Sequence, residues 1–496
     1  MRTRIGRSSF IIFTVVATVL AVLAGCGSGR SADAPPKPLW ETTRAVGPEG
    51  ATIETPEQYG AKIEIAQNTF ESTTQIRVQI YPPEAEMRNL PQGVVPSSHL
   101  VRIEFSAPPS EQLGGISITL PVSASRQSGD IWHFMTAYLP TAPVVIRGWH
   151  ASDTAQSRSI TLQPDELKLL LLGAGTAPLI KYQLITYNST PPTLGPRGMV
   201  RWEQNQRQWQ QQTPNWENKH IAILIHGIRN NISNLSDLAE KLVGYGLYDE
   251  IWGFDYNWTM HINQNGAQLA DYIRSNAKDT TRIDIYGHSM GGLVARWALE
   301  KGGASRYVER LYTMGTPHLG VPIDDPGNLP GNWLVVLDNI IAFVSELNTD
   351  GVKDLLENSE FLRNLNDLNA GSRAAQNTVY IVFAGRKHED YFATGPFSLG
   401  NYFYNYVYER LPNDGIVAVY SATPWLADPS SNQKADNIIQ NRRWSKITET
   451  KGALWVQGSE QSLPLNHSEI KVPDAPITDV DELENSVKDN TNVTIR

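Results

Sequence analysis

The chain has 496 residues but a single cysteine, Cys26, so no disulfide can form within it. Basic residues are also few: 42 Lys and Arg stand against 51 Asp and Glu, which gives a formal net charge of -9 at pH 7. Beyond the extreme N-terminus, no cluster of Lys or Arg occurs that would neutralise a phosphate backbone. Nucleic acid is therefore excluded as an expected partner.

Long apolar runs are rare, and the one at residues 10–24 follows Arg2, Arg4 and Arg7. This layout is typical of a secretory signal, and the run is short for a membrane-spanning helix. It ends in LAGC at 23–26, which resembles the lipobox of bacterial lipoproteins. The resemblance implies a signal peptide over residues 1–25 and lipid attachment at Cys26. An uncleaved signal anchor is the alternative, and it gives the same attachment to a membrane.

The resemblance to bacterial lipoproteins also implies where the protein resides. We expect an exported lipoprotein anchored to the cell membrane. Gly27 follows the cysteine, where an Asp is the usual retention signal, so the outer membrane is favoured in a bacterium with two membranes. Residues 26–45 begin with a Gly-, Ser-, Ala- and Pro-rich stretch and are predicted to form a flexible tether.

Residues 46–175 contain short alternating segments, such as 75–81 and 100–105, which predict an all-β domain. The segment resembles the β-sandwich of netrin receptors and ankyrins, in which a GPxG opening, an IxI strand and a later LPV strand recur. His99, His133 and His150 lie among these strands without a paired carboxylate, so we expect them to be structural. A spacer or binding role is expected for this domain.

A polar connector with several prolines and a Gln-rich run is predicted over residues 176–218. From residue 219 to about 480, apolar strands alternate with helical segments, which is typical of a mostly parallel sheet with helices on both faces. Residues 221–225 and 283–286 are predicted strands, and residues 268–277 and 292–301 are predicted helices. Residues 481–496 form a polar C-terminal tail.

The sequence GHSMGG at 287–292 lies between a predicted strand and a predicted helix. A serine hydroxyl becomes a useful nucleophile when a strained turn lifts it clear of the sheet beside a base, and the flanking glycines permit such a turn. Ser289 is therefore the predicted nucleophile. The following residues, GGLVAR at 291–296, resemble the start of the corresponding helix in bacterial lipases and esterases.

An acyl-transfer site also needs donors for the oxyanion. The backbone N–H of Met290 is the first candidate. HGI at 226–228 follows the upstream strand, where lipases carry His-Gly and an apolar residue, and this resemblance implies the N–H of Ile228 as the second donor. His226 precedes the nucleophile in the chain and is expected to be structural.

Three histidines follow Ser289 outside its own turn: His318, His388 and His467. The hydrolase order of nucleophile, acid and base leaves room for a late acid only before His467. LNHSEI at 465–470 resembles the segment that bears the base in bacterial lipases. His318, in MGTPHLG at 314–320, is expected to shape the wall of the site, and His388 is expected at the surface.

The acid is expected on a loop between Ser289 and His467, where it orients the imidazole. PNDGIV at 412–417 resembles the Asn-Asp-Gly segment that carries the acid in lipases, which implies Asp414. A plain turn in which Asp414 caps its own backbone is the alternative.

The strand pattern stops over residues 321–376, and helical segments such as 333–344 predict a cap insertion. Residues 360–366 resemble a cap segment of lipase-like hydrolases. A mobile lid and a fixed helix both remain open for this cap.

Some bacterial lipases bind calcium near the catalytic histidine, and Glu469 lies close to His467, but one carboxylate does not make a calcium site. We expect no cofactor and no required metal, with a structural calcium ion left open.

Taken together, residues 219–470 resemble the lipase and esterase family of α/β-hydrolases. The resemblance implies an α/β-hydrolase fold preceded by an all-β sandwich, and a serine hydrolase that cleaves carboxylic esters. An acyltransferase with the same triad, and a surface binding protein on a degenerate hydrolase scaffold, are the alternatives. The expected partners are an ester or lipid substrate and a membrane.

Overall fold

The computed structural model describes residues 37–91, 94–109, 114–122, 130–150, 155–173, 179–189, 198–323, 331–366, 378–385, 397–411, 413–422, 455–456, 467 and 470. The signal peptide, Cys26 and the C-terminal tail inferred from the sequence lie outside these residues. The chain divides into the units Met1–Pro38 and Leu39–Arg496, and every element below belongs to the second. No helix in the described ranges is long and apolar enough to cross a membrane.

The described strands and helices are numbered here in chain order. The strands are β1 (Trp40–Val46), β2 (Ala51–Glu54), β3 (Lys62–Ile65), β4 (Thr74–Tyr81), β5 (Val94–Pro96), β6 (Leu100–Phe105), β7 (Ile116–Pro121), β8 (Asp130–Tyr138), β9 (Pro143–His150), β10 (Ser157–Leu162), β11 (Leu179–Ser189), β12 (Met199–Glu203), β13 (Gln208–Gln210), β14 (His220–Ile225), β15 (Glu250–Phe254), β16 (Arg282–His288), β17 (Val308–Met314), β18 (Val335–Val336), β19 (Val379–Phe383) and β20 (Trp455–Val456). The α-helices are α1 (Pro164–Gly173), α2 (Ser236–Tyr245), α3 (Ile262–Asn276), α4 (Met290–Glu300), α5 (Leu337–Leu347), α6 (Asp350–Asp354), α7 (Glu360–Asn366), α8 (Leu399–Tyr402) and α9 (Val419–Ala422).

Strands β1 to β11 form two antiparallel sheets, and the described residues from 40 to 189 are called the β-domain here; β18, from much farther along the chain, adds to the edge of one of these sheets. One has the order β1-β4-β6-β11-β8-β9-β18, with β5 beside β11, and the other has the order β10-β7-β3-β2. Their strands alternate between buried and more exposed residues, as in β10 and β7, because successive side chains point to opposite faces. One apolar cluster contains Ile63 and Ile118 of the smaller sheet together with Ile76 and Val101 of the larger one. The two sheets therefore share a core.

The edges of this β-domain differ from the sequence prediction of 46–175. Strand β1 begins at Trp40 and pairs with β4, so the flexible tether predicted over residues 26–45 is wrong for residues 40–45. At the other edge, β11 pairs with β6 on one side and β8 on the other. Strand β11 therefore lies inside the sheet, although the sequence predicts a connector over its residues. The sequence predicts a connector because prolines at 191–196 and glutamines at 204–212 follow these residues closely. The alternating run within β11 buries Ile180 and Leu184, and that burial depends on distant partner strands.

The third sheet has the order β13-β12-β15-β14-β16-β17-β19-β20. Strands β15, β14, β16, β17, β19 and β20 are parallel to one another, whereas β12 and β13 pair with their neighbours in antiparallel fashion. Alternate residues of β14 face opposite layers. Ile223 packs in a cluster with Leu269 of α3 and Leu293 of α4, whereas Leu224 packs in a cluster with Leu238 of α2. Because helices cover both faces, β14 is apolar almost throughout.

The predicted helices and cap have their counterparts here, with shifted bounds. Helix α3 begins at Ile262 instead of residue 268, and α4 begins at Met290 instead of residue 292. The helix predicted over 333–344 begins only at Leu337. The residues before it are extended because β18 pairs with β9 of the β-domain, a partner too distant in the chain for periodicity to reveal.

Candidate active site

Ser289 occupies the turn between the end of β16 at His288 and the start of α4 at Met290. Its backbone has φ 53° and ψ -126°, a conformation that is costly for a residue with a Cβ. The glycines around it make the turn feasible: a Cβ on Gly287 would lie 2.6 Å from Gly292 Cα, and one on Gly291 would lie 2.9 Å from the carbonyl carbon of Ile225. The turn therefore holds Ser289 at the carboxyl end of a central strand.

Three side chains far apart in the chain meet at this turn. His467 Nε2 lies 2.9 Å from Ser289 Oγ, and His467 Nδ1 lies 2.8 Å from Asp414 Oδ2. All three residues are buried. An imidazole protonated on Nδ1 donates to Asp414 and leaves Nε2 to accept the Ser289 hydroxyl proton. In this arrangement the serine has an adjacent base, and the base has an orienting carboxylate.

The Asp414 carboxylate makes two kinds of contact, one with the backbone of its own turn and one with the His467 imidazole. Its Oδ1 accepts hydrogen bonds from the backbone N–H of Val417 at 2.8 Å and of Ile416 at 3.1 Å, as in a self-capped turn. Its Oδ2 faces His467. In addition, the N–H of His467 donates to the carbonyl of Asp414 at 2.8 Å. The turn thus holds the carboxylate in one orientation toward the imidazole.

Gly315 lies against this pair, a position for which the sequence predicts no role. Its φ is +58°, and a Cβ built on it would lie 2.9 Å from Asp414 Oδ2 and 3.1 Å from His467 Nδ1. Its N–H donates to the carbonyl of Phe383 on β19 at 2.9 Å. The segment MGTPHLG was noted in the sequence, but the reason for a glycine there appears only when Asp414 and His467 are brought alongside.

The two predicted oxyanion donors are Met290, which directly follows Ser289, and Ile228. Met290 is the first residue of α4, where backbone N–H groups have no partner within the helix. Ile228 lines the same cavity as Ser289. Between Ile228 and β14, Gly227 allows a close approach, because a Cβ there would lie 2.8 Å from Ser289 Cβ.

The other candidate histidines are held by contacts away from the nucleophile. His226 stacks on Tyr256 at 4.4 Å between ring centroids, and its Nε2 accepts the Tyr256 N–H at 3.2 Å. His318 contacts Thr313 Oγ1 through Nε2 at 3.1 Å. Burial, with a smaller effect of the neighbouring Arg296, holds the pKa of His318 well below its usual range, so this ring is neutral. His388 and Glu469 lie outside the described residues.

A narrow cavity of about 60 Å³ opens beside Ser289. Most of the side chains that line it are apolar: Ile228, Pro317, Val321, Ile323, Phe343, Leu347, Val352, Leu355, Leu356, Leu399, Phe403, Ile416 and Val417. The charged side chains among the described lining residues are Arg229 and Glu346, with Arg229 Nε 2.6 Å from Glu346 Oε1. Burial raises the pKa of Glu346 to about 8, although Arg229 acts in the opposite direction. The cavity suits an apolar group held next to the serine.

One group of potential metal ligands occurs among the described residues, near the amino ends of β14, β16 and β17. The ligand atoms of His220, Asp284 and Glu309 lie within 4.8 Å of one another. Two arginines already engage the carboxylates: Arg282 donates to both oxygens of Glu309 at 2.9 Å, and Arg310 lies 3.3 Å from Asp284 Oδ1. These guanidinium groups disfavour a cation there. Ser289 lies at the opposite, carboxyl end of β16.

Comparison with known proteins gives partial matches. A family model described only as a domain of unknown function, DUF7379, matches residues 191–357. No curated protein matches the chain. Among solved structures, the mature form of a Bacillus licheniformis lipase has 19% identity and a TM-score of 0.38, covering 60% of this chain and 100% of its own. Its propeptide form has 20% identity and a TM-score of 0.37, covering 57% and 53%. A lipase-esterase related protein from Clostridium acetobutylicum has 11% identity and a TM-score of 0.27, covering 56% and 96%. These structural neighbours are lipases and esterases, at low identity and with partial coverage of this chain.

Proposed function

We propose that this chain is a membrane-anchored serine hydrolase of the α/β-hydrolase type that cleaves carboxylic esters. The observation that carries the proposal is the hydrogen-bonded series Ser289, His467 and Asp414, with distances of 2.9 and 2.8 Å. Further support comes from the strained turn that carries the serine, at the carboxyl end of a parallel strand, which is the setting of a nucleophile elbow.

The reaction follows from the roles of these groups. Ser289 Oγ attacks the ester carbonyl carbon while His467 Nε2 takes the hydroxyl proton, and the carbonyl oxygen becomes an oxyanion. The N–H groups of Met290 and Ile228 are the proposed donors to that oxyanion. Collapse of the intermediate breaks the bond to the leaving alcohol, which receives the proton from His467. Asp414 stabilises the imidazolium in the meantime.

The second half of the reaction frees the enzyme. Water attacks the acyl-serine carbonyl while His467 takes a proton from it, and the oxyanion forms again in the same place. Collapse then releases the carboxylic acid and returns the proton to Ser289 Oγ. The apolar lining of the adjacent cavity favours substrates with an apolar acyl group.

Attachment to a membrane through a lipidated Cys26 is part of the proposal and rests on the sequence. Each buried methylene of an acyl chain contributes about 0.8 kcal/mol, so two or more chains hold a protein on a membrane stably. We infer an exported lipoprotein on that basis, with an ester or lipid as the substrate and no required cofactor.

The test compares Ser289→Ala with Ser233→Ala, a matched control at an exposed serine of the Ile232–Leu235 turn. We expect Ser289→Ala to lower the turnover of a chromogenic acyl ester by about 10⁴-fold or more and to abolish labelling by a fluorophosphonate. The Ser233→Ala variant should keep both. Undiminished turnover in Ser289→Ala would contradict the proposal.

The same preparation distinguishes the alternatives. Acyl transfer to an added alcohol, measured by product analysis, would identify an acyltransferase with this triad. A folded wild-type protein that neither turns over esters nor reacts with fluorophosphonate would favour a binding protein on a hydrolase scaffold.

A further inference from the structure

Residues 331–336, called the clasp segment here, join the β-domain to the catalytic part, which is the name used here for the described residues from 198 onward. At its centre Trp333 is fully buried. The indole packs at 5.9 Å from Trp132 and 5.7 Å from Phe134, both on β8, and at 6.1 Å from Tyr402 on α8 (centroid distances). Trp333 therefore lies in an apolar cluster that draws its members from the β-domain and from the catalytic part.

The backbone of the clasp segment extends a sheet of the β-domain. Strand β18 pairs with β9 in antiparallel fashion, with Val335 opposite Val145. The N–H of Trp333 also donates to the carbonyl of Ile146. Main-chain hydrogen bonds of this kind fix a register, so they set where the next element begins. That next element is α5, which starts at Leu337.

Polar side chains reinforce the same contact. Asn332 donates to both carboxylate oxygens of Glu166 in α1 at 2.7 Å, and the Tyr406 hydroxyl donates to the same carboxylate at 3.1 Å. Farther along, the hydroxyls of Tyr187 on β11 and Ser345 on α5 are 3.0 Å apart. The β-domain thus contacts both the clasp segment and α5 itself.

Gly148 on β9 makes the space for the buried indole. A Cβ built on Gly148 would lie 2.8 Å from Trp333 Cζ3 and 3.0 Å from Phe134 Cδ1. Any larger residue at this position must displace Trp333. The strand therefore carries a site shaped for a side chain of the clasp segment.

Helix α5 joins these contacts to the chemistry. Its residues Phe343, Glu346 and Leu347 line the cavity that also contains Ser289. Other residues of the same helix, Ile340 and Val344, lie in the apolar cluster with Trp333. One helix thus packs on the β-domain and forms a wall of the substrate cavity.

We propose that the β-domain positions α5 through the clasp segment, and that it thereby determines which acyl chains fit beside Ser289. The inference rests on the proposed ester hydrolysis and gives the β-domain a role in the selectivity of that site. On this proposal α5 is a fixed wall of the cavity, because buried aromatic rings and the β18–β9 strand pair attach it to the β-domain. A lid that opens freely at a lipid surface would have to break these contacts.

The experiment introduces Gly148→Ala and compares it with Gly244→Ala in α2, where an added Cβ has nothing within 4 Å. Two quantities are measured: hydrogen exchange of the amides at 337–347, and the ratio of kcat/KM for p-nitrophenyl octanoate over p-nitrophenyl acetate. We expect Gly148→Ala to speed exchange in α5 and to change the ratio by about tenfold, the effect of one or more misfitted methylenes in an apolar pocket. Gly244→Ala should change neither.

A milder variant covers the case in which Gly148→Ala does not fold. Tyr187→Phe removes the hydrogen bond to Ser345 without adding atoms, and we expect the same two effects at smaller size. An unchanged ester ratio in a folded variant, with or without faster exchange in α5, would overturn the proposal. Absence of ester turnover in the wild type would instead contradict the proposed function. In that case unchanged hydrogen exchange at 337–347 in the variants would overturn the positioning of α5 by itself.

Discussion

Replacing Gly315 by alanine perturbs the contact between Asp414 and His467 from outside the triad. Gly315 has φ +58°, in the left-handed region, where a residue with a Cβ loses about 1–2 kcal/mol. The new Cβ would also lie 2.9 Å from Asp414 Oδ2, and Cβ contacts below 3.0 Å essentially never occur in proteins. The Asp414–His467 pair must therefore shift by roughly half an ångström, and displacements approaching 1 Å cost on the order of 10²-fold in rate.

The expected result is a decrease in kcat of roughly 10- to 100-fold with a small change in KM, because the substrate cavity itself is not altered. The matched control is Gly246→Ala. Gly246 has φ +65° at the end of α2, and an added Cβ has nothing within 4 Å, so it carries the same backbone cost without the crowding. Urea unfolding should give a loss of about 1–2 kcal/mol for Gly246→Ala and a larger loss for Gly315→Ala, because only Gly315→Ala adds crowding at a buried carboxylate.

Kinetics on a chromogenic ester would be measured for both variants at a temperature where each is fully folded. Equal kcat values for Gly315→Ala and Gly246→Ala would refute the reasoning, because the added methyl group would then have no effect on the pair.

Two further predictions concern Glu346 and Cys26. Burial raises the pKa of Glu346 from 4.5 to about 8. Between these pH values the Glu346 carboxyl keeps its proton in the native state and loses it in the unfolded chain. The free energy of unfolding therefore falls as pH rises through this range. Comparing urea unfolding of the wild type with Glu346→Gln at pH 5 and pH 8 should therefore show the glutamine variant gaining in relative stability at the higher pH; a constant difference would contradict this. For Cys26→Ser, we expect the protein to move from the membrane fraction to the soluble fraction after cell lysis, since the acyl chains have no attachment point, and retention in the membrane fraction would argue against lipidation.

Local pattern accounts for much of what the sequence predicted. The apolar run at 221–225 is typical of a strand covered on both faces, and β14 is such a strand. The glycines around Ser289 predicted a strained turn, and the turn at φ 53° requires them. These features depend on residues within a few positions of each other, so residue type and spacing suffice to find them.

Contacts between distant segments explain where the structure differs from the sequence-based predictions. Strand β11 was assigned to the connector because its partners, β6 and β8, cannot be read from its own residues. The sequence predicts that the cap helix begins at residue 333, but it begins at Leu337. The residues up to Val336 are extended because they pair with β9, which is far away in the chain. The partner of Arg229 on α5 was not foreseen for the same reason.

The sequence by itself determined which residues carry the candidate chemistry: Ser289 by its glycine setting, and Asp414 and His467 by residue type, chain order and resemblance. Tertiary structure alone decided that these three side chains come within hydrogen-bonding distance and that Gly315 must lack a side chain to let them do so. It also decided that the β-domain contacts a wall of the cavity. The physical reason is that a side chain's identity is local, whereas its distance to another depends on how strands and helices far apart in the chain pack together.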